Sequence, residues 1–160
     1  MTDHVEAVLA QWRRERPDLD VSPMAVIGRI SRVAKQADDH LARNFADHGL
    51  DRASFDVLAT LRRSGEPFTL APKDLAGSTM VTSSAVAQRL NKLEADGLVV
   101  REPSEADGRG KKVHLTDVGR RLVDAALPHH LATEEELLAP LTKRERRQLA
   151  DLLAKLDQHR

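Results

Sequence analysis

The chain has 160 residues, of which 41% are hydrophobic and 31% charged, and this composition is typical of one folded domain rather than of a disordered protein. It has 25 basic (Lys and Arg) and 25 acidic residues, so a general polycation is excluded, although basic residues can still cluster on one face. The 2% aromatic content argues against base stacking with single-stranded nucleic acid, and the absence of cysteine excludes disulfides and thiolate chemistry.

Segments that would direct the chain to a membrane are not expected. No run approaches the roughly 20 apolar residues that a membrane span needs. The amino terminus carries an acidic residue where a signal peptide has basic ones. We therefore expect a cytoplasmic protein with no membrane contact.

The amino-terminal residues are predicted to form two helices. The first has one apolar stripe at helical spacing, made by Val5, Val8, Leu9 and Trp12. The second is long, with Ser22 as its cap, Pro23 at its first position and Gly49 as its stop. Its apolar residues also recur at helical spacing: Val26, Ile30, Val33, Ala37, Leu41 and Phe45.

The middle of the chain begins with a helix capped by Asp51, which places Phe55, Leu58 and Leu61 inward. A short helix follows over the letters APKDLAG, and after a brief turn Thr82 caps another helix. Two helices joined by a short turn form a helix–turn–helix, the unit that many proteins use to read DNA.

The second helix of this unit has two faces. Val86, Leu90 and Leu93 form its buried stripe. Five polar residues remain on the outer side: Thr82, Ser83, Ser84, Gln88 and Lys92. Hydroxyls at a helix amino terminus can approach phosphates and base edges, Gln88 can pair with adenine, and Lys92 can neutralise a phosphate. The alternative is that the hydroxyls only cap the helix and the other two side chains are solvated.

A β-hairpin is predicted next, because the runs LVV and KVHL flank a charged, glycine-containing loop. Arg109 lies between two glycines at its tip, Asp107 precedes it, and Lys111 follows. A guanidinium at a hairpin tip suits the negative potential of the DNA minor groove, and Asp107 can orient it by accepting a hydrogen bond. A solvated hairpin is the alternative.

The carboxy-terminal part is again helical. Thr116 caps a helix that Pro128 must kink or divide, and Thr142 with Glu145 forms a capping box. The last helix has four leucines on one face: Leu149, Leu152, Leu153 and Leu156. The apolar faces at both ends exceed what a domain of this size buries alone, so we expect a two-fold homodimer.

These segments together resemble the MarR family of winged-helix transcription regulators. The letters VTSSAVAQRLNKLEADGLV match the family's recognition helix, and REPSEADGRGKKVHLTDVG match its wing. The matching wing positions are Arg101, Pro103, Asp107, Arg109, Val113, Leu115, Thr116 and Gly119. One departure is Gly108, where the family often has arginine.

The resemblance covers essentially the whole chain and implies a mainly α (α+β) fold, a winged helix–turn–helix with a two-stranded wing. Residues 1–48 would form helices for dimerisation and part of an effector pocket. Residues 49–118 would bind DNA, and residues 119–160 would complete the dimer. The recognition helices of a homodimer would then enter successive major grooves of double-stranded DNA, and Arg109 of each wing would enter a minor groove.

A narrower resemblance concerns the subgroup with an extra amino-terminal helix that responds to urate and related anions. It is carried by the letters QWRRERPDLD, GRISR, FDVLATLRRSGEP and LAPKDLAGSTMVTSSA. It implies a ligand site made by Trp12, Asp56, Arg63, Arg89 and Arg101. An anion held near Asp56 would bring like charges together and strain the recognition helix.

Simpler roles for these five residues stay open. Trp12 can belong to the dimer core, Asp56 and Arg63 can be surface charges, and Arg101 can pair with Glu102 or a phosphate. Arg89 follows Gln88, so it should point away from the DNA-facing side and back toward the scaffold.

Other functions have less support in the residues. The adjacent His129 and His130 cannot share a helix face as metal ligands at i and i+4 do, so we expect no metal and no cofactor. No arrangement suggests nucleophilic catalysis, so we expect no enzyme and give a small hydrolase little weight. We expect a homodimeric repressor that a small anionic effector releases from a pseudo-palindromic operator. The alternative is a winged-helix module for protein–protein assembly without a DNA role.

Overall fold

The computed structural model describes residues 3–103 and 111–158. It contains seven helices and three strands within those ranges. They are α1 (His4–Glu15), α2 (Ser22–Asp47), α3 (Arg52–Arg63), β1 (Thr69–Leu70), α4 (Pro72–Ser78), α5 (Ser83–Ala95), β2 (Val99–Pro103), β3 (Lys111–Leu115), α6 (Asp117–Leu138) and α7 (Lys143–Asp157). None of these helices is long and apolar enough to cross a membrane. The mainly helical fold with a small antiparallel sheet confirms the predicted fold class.

The chain forms two compact units, Met1–His40 and Leu41–Arg160. In the first unit, Val5 and Leu9 of α1 pack with Val21 in a small apolar core. The Asp3 carboxylate caps α1 by accepting the Val5 N–H at 2.9 Å, and α1 ends at Glu15, two residues before Pro17.

The start of α2 differs from the prediction by one residue, because Ser22 is itself helical and Pro23 is the second helical residue. The Asp20 carboxylate accepts hydrogen bonds from the backbone N–H and the hydroxyl of Ser22, both at 2.9 Å. An aspartate two residues upstream therefore satisfies the first helical N–H, and proline is still tolerated in the first turn.

In the second unit, the start of α3 agrees with the prediction. The Asp51 carboxylate accepts the Ser54 N–H at 2.8 Å, and Phe55, Leu58 and Leu61 are buried. A continuous core joins α3 to the end of α2, to α4, α5 and α6, and to the sheet. Its members with less than 2% exposure include Phe45, Val57, Leu75, Leu93, Val99, Val113, Leu115, Val123 and Ala126.

The sheet has three antiparallel strands in the order β1-β3-β2. Strands β2 and β3 form the predicted hairpin, with Arg101 opposite Val113. The short strand β1 was not predicted, and it pairs Thr69 with His114 and Leu70 with Val113. This leaves β2 as an edge strand of the sheet.

The predicted starts of the last two helices are confirmed. Thr116 caps α6 by accepting the Gly119 N–H at 3.0 Å, and Thr142 with Glu145 forms the capping box of α7. Pro128 lies inside α6, which continues past it, so of the two predicted outcomes, a kink or a division, division is wrong. Gly119 packs close to Leu98, the residue before β2, since a Cβ built at Gly119 would lie 2.2 Å from the Leu98 carbonyl oxygen.

Candidate nucleic-acid interface and effector site

Helix α5 presents one buried and one exposed face. Val86, Leu90 and Leu93 are each no more than 5% exposed and anchor the helix in the core. The five polar residues predicted for DNA contact are all exposed: Thr82, Ser83, Ser84, Gln88 and Lys92. The amino end of the helix and this exposed face therefore form a polar surface on a fixed base.

The details of this face fit contact with phosphates and base edges. The Thr82 hydroxyl accepts the Ala85 N–H at 3.3 Å and lies 3.2 Å from the Ser84 hydroxyl. Lys92 forms an exposed ion pair with Asp96 at 2.7 Å. Asn91 is also exposed, three residues after Gln88. Asn91 was not among the predicted contacts, although helical spacing already places it beside that glutamine.

The turn that leads into α5 is held by α3. The Met80 N–H donates to Asp56 Oδ2 at 2.6 Å, and Asp56 is only 9% exposed. Arg63 lies 3.9 Å from the same carboxylate and donates to the Ser78 carbonyl. Two of the residues predicted for effector binding are thus neighbours, and both contact the segment just before the recognition helix.

Asp56 and Arg63 also line a cleft of about 470 Å³ between α3 and α6. Its other polar groups include Arg62, Asp124 and His130, and Arg62 donates to Asp124 at 2.8 Å. The remaining wall is mostly apolar, with Phe55, Val123 and Leu127 among its residues. An apolar cleft with a few converging charged groups suits a small amphipathic ligand.

Two other arginines of the predicted effector set lie in different pairs. Arg89 Nε lies 3.1 Å from Asp51 Oδ2, so this side chain turns back toward α3, as inferred from its position after Gln88. Arg101 donates through Nε to Glu94 at 2.8 Å, and this carboxylate raises the pKa of Arg101 above its ordinary value. Neither arginine lines the cleft that holds Asp56.

The pairing of these arginines with the carboxylates of Asp51 and Glu94 was not predicted from the sequence. Asp51 already showed a role as a helix cap, but nothing local indicated that it also faces α5. Several acidic residues lie near Arg101 in the sequence, and only the folded structure shows that Glu94 is its partner.

The remaining predicted residues are placed as follows. Trp12 lies on α1 in the unit Met1–His40 and is 42% exposed. Lys111 is the first residue of β3, where its backbone pairs with Pro103. Asp107 and Arg109 lie outside the described residues. Within residues 3–103 and 111–158, no three His, Asp or Glu side chains are grouped so that they could hold a metal ion.

Comparisons with known proteins agree with this geometry. The MarR family model matches residues 48–110. The HTH-type transcriptional regulator PecS of Dickeya dadantii is 39% identical over 155 residues, which cover 97% of this chain and 93% of PecS.

Solved structures show the same fold. BpsR of Bordetella bronchiseptica, whose DNA binding is regulated by 6-hydroxynicotinic acid, has a TM-score of 0.77 and 25% identity over 84% of this chain and 94% of its own. Sco3205 of Streptomyces coelicolor, a MarR family regulator solved in complex with DNA, has a TM-score of 0.79 and 23% identity over 88% of each chain. PecS is a transcriptional regulator, which favours DNA reading over the hydrolase and assembly alternatives. The chain belongs to the MarR family of winged-helix, DNA-binding transcriptional regulators.

Proposed function

We propose that the protein is a homodimeric repressor that binds a pseudo-palindromic operator and leaves it when a small anionic effector binds. Each α5 would enter a major groove, and Arg109 of each wing, with Asp107 and Lys111 beside it, would contact the neighbouring minor groove. The observation that carries this proposal is the exposed polar face of α5 opposite its buried stripe. A helix with this division can enter a groove without disturbing the core.

The dimer is supported by the apolar face of α7. Its four leucines are 41% to 62% exposed: Leu149, Leu152, Leu153 and Leu156. A contiguous apolar stripe of this kind is unfavourable in water and favours pairing with a second copy of the chain. A two-fold dimer would place one recognition helix on each half of a palindrome.

The effector response is supported by the position of Asp56 and Arg63. They hold the Ser78–Met80 turn, so an anion that pairs with Arg63 or repels Asp56 would shift the start of α5. A small shift would weaken two major-groove contacts in a symmetric dimer, and DNA would in turn weaken effector binding. Regulation of BpsR by a hydroxylated aromatic acid supports an anion of that size, urate or a small carboxylate. Trp12, Arg89 and Arg101 remain predicted effector contacts, and that prediction comes from the family resemblance.

DNA reading is tested by gel shift on a pseudo-palindromic duplex over a range of salt concentrations. Affinity should fall steeply with salt, because bound phosphates release their counterions. Gln88→Ala should weaken specific binding about tenfold, as expected for loss of one base contact. Gln158→Ala, at the exposed end of α7, is the matched control and should leave binding unchanged. Equal affinity of Gln88→Ala and the wild type would contradict the proposed major-groove contact.

The effector site is tested by titrating urate, xanthine, citrate and aconitate into the protein and into its DNA complex. We expect at least one anion to bind and to release the DNA. Asp56→Asn and Arg89→Ala should weaken that binding, whereas Arg144→Ala, an exposed arginine of α7, should not. If none of the four anions binds, or if both variants bind as the wild type does, the proposed site is wrong.

A further inference from the structure

We infer that Glu94 is a positioning residue that joins the recognition helix to the wing strand, so that the two DNA-reading elements move as one body. Glu94 and its partner Arg101 both belong to this chain, but the consequence for DNA rests on the groove contacts of the proposed function.

Both oxygens of the Glu94 carboxylate are occupied by one residue of β2. Oε1 accepts the backbone N–H of Arg101 at 3.1 Å, and Oε2 accepts Arg101 Nε at 2.8 Å and a second N–H of the same guanidinium. Hydrogen bonds to a charged carboxylate are shorter and stronger than those between neutral groups. This contact therefore fixes both the main chain and the side chain of Arg101 to α5.

The position of Arg101 in the sheet explains why an acceptor is needed there. Strand β2 lies at the edge of the sheet, so an N–H that points away from β3 has no strand partner. Glu94 supplies the missing acceptor from the last turn of α5. Glu94 thus accepts the hydrogen bond that a neighbouring strand would accept if β2 were not at the edge.

The hairpin has a second attachment at its base. Gly97, with φ of 70°, makes the sharp turn from α5 into β2, and Thr116 binds the Leu98 carbonyl through its N–H at 3.1 Å and its hydroxyl at 3.0 Å. Arg101 is three residues farther along, about 10 Å in an extended strand. Two attachments at this separation prevent rotation of the hairpin about its base. Without Glu94, the base attachment, the pairing of β3 with β1 and the burial of Val99 and Val113 still hold the inner part of the hairpin. The loss then falls on β2 from Arg101 onward, and the outer part of β3 would follow because the two strands are paired.

The first measurement needs no DNA. In Glu94→Ala, amide hydrogen exchange at Arg101 and along β2 and β3 should become about tenfold faster or more, because the acceptor and the outer attachment are both lost. Glu94→Gln keeps an oxygen for the Arg101 N–H and should show a smaller increase. Asp96→Ala is the matched control, since it removes a carboxylate two residues away whose ion pair with Lys92 involves no residue of the hairpin. Circular dichroism melting checks that all variants fold.

The second measurement separates the two grooves. Methylation of a bound operator by dimethyl sulfate probes guanine N7 in the major groove and adenine N3 in the minor groove. At protein concentrations that saturate the DNA, Glu94→Ala should retain protection of guanine and lose protection of adenine, with overall affinity reduced about 5- to 20-fold. Asp96→Ala should protect both.

The possible failures are distinguishable. If the wild type protects guanine but not adenine, the wing contact of the proposed function is wrong, while hydrogen exchange still tests the attachment itself. If the wild type protects both and Glu94→Ala does too, or if exchange in β2 is unchanged in that variant, the positioning role of Glu94 is overturned.

Discussion

Individual carboxylates control the geometry around the recognition helix. Among the described residues, Asp56 is the one charged residue in the buried set, and its burial is balanced by the Met80 N–H and by Arg63. Asp51 serves two elements, because one of its oxygens caps α3 and the other faces Arg89 of α5. A buried or shared carboxylate is stabilising only while its partners remain, so these positions tolerate substitution poorly.

At this scale we predict that Asp56→Ala lowers the free energy of unfolding by about 1–3 kcal/mol, because the Met80 N–H loses its acceptor. Asp56→Asn keeps an oxygen acceptor and should cost less. Urea denaturation measures both. The control is Asp39→Ala, whose exposed ion pair with Lys35 within α2 should contribute no more than about 0.5 kcal/mol. A cost for Asp56→Ala as small as that of the control would show that the carboxylate is not needed to hold the turn.

At the scale of elements, four helix starts could be predicted because each is encoded within about three residues. Asp51, Thr82, Thr116 and Thr142 all cap the helices assigned to them. Strand β1 could not be predicted, since its two residues are held only by pairing with His114 and Val113. The choice between a kink and a division at Pro128 could not be made for a related reason: the effect of a proline on a helix depends on the packing around it, and α6 is anchored by Val123 and Ala126.

The candidate site, like the fold, could be predicted from the sequence only where the signal is local. Helical periodicity alone identified which side of α5 is exposed, because the buried stripe repeats every three or four residues. The partners of Arg89 and Arg101 depend on how α3, α5 and β2 pack, and no local pattern carries that information. The sequence therefore predicted the polar surface well and the ion pairs behind it poorly.

The close packing of α6 against Leu98, just before β2, leads to a prediction about stability. Gly119→Ala should lower the free energy of unfolding by about 1–3 kcal/mol, because the new methyl group would overlap the Leu98 carbonyl. Gly77→Ala in α4 is the matched control, since a Cβ there meets no atom within 4 Å and should stabilise the helix by up to about 1 kcal/mol. Thermal melting should show a lower melting temperature for Gly119→Ala and a higher one for Gly77→Ala. Shifts of both melting temperatures in the same direction would contradict the packing argument.

At the scale of the whole molecule, the net charge of zero leaves DNA affinity to the arrangement of charges and to the number of subunits. If two copies must bind together, then any change that weakens the dimer also weakens the DNA complex. The exposed leucines of α7 are the described residues that best test this coupling.

We predict that Leu152→Glu shifts the protein toward monomers and lowers DNA affinity, because a carboxylate would enter the apolar contact between copies. Leu152 is 62% exposed, so the substitution should cost little in a single chain. Ala154→Glu adds the same charge on the opposite side of α7 and is the control. Sedimentation velocity measures the mass. A Leu152→Glu protein with the same mass as the wild type would rule out α7 as a dimer contact.

The separation of the two faces of α5 has an evolutionary consequence. Ser83, Ser84 and Gln88 contribute nothing to the core, whereas Val86, Leu90 and Leu93 contribute nothing to the exposed face. Mutations can therefore accumulate on the outer positions at little cost to folding. Gene duplication followed by such mutations would let one scaffold acquire new target sequences, while its internal architecture is inherited intact.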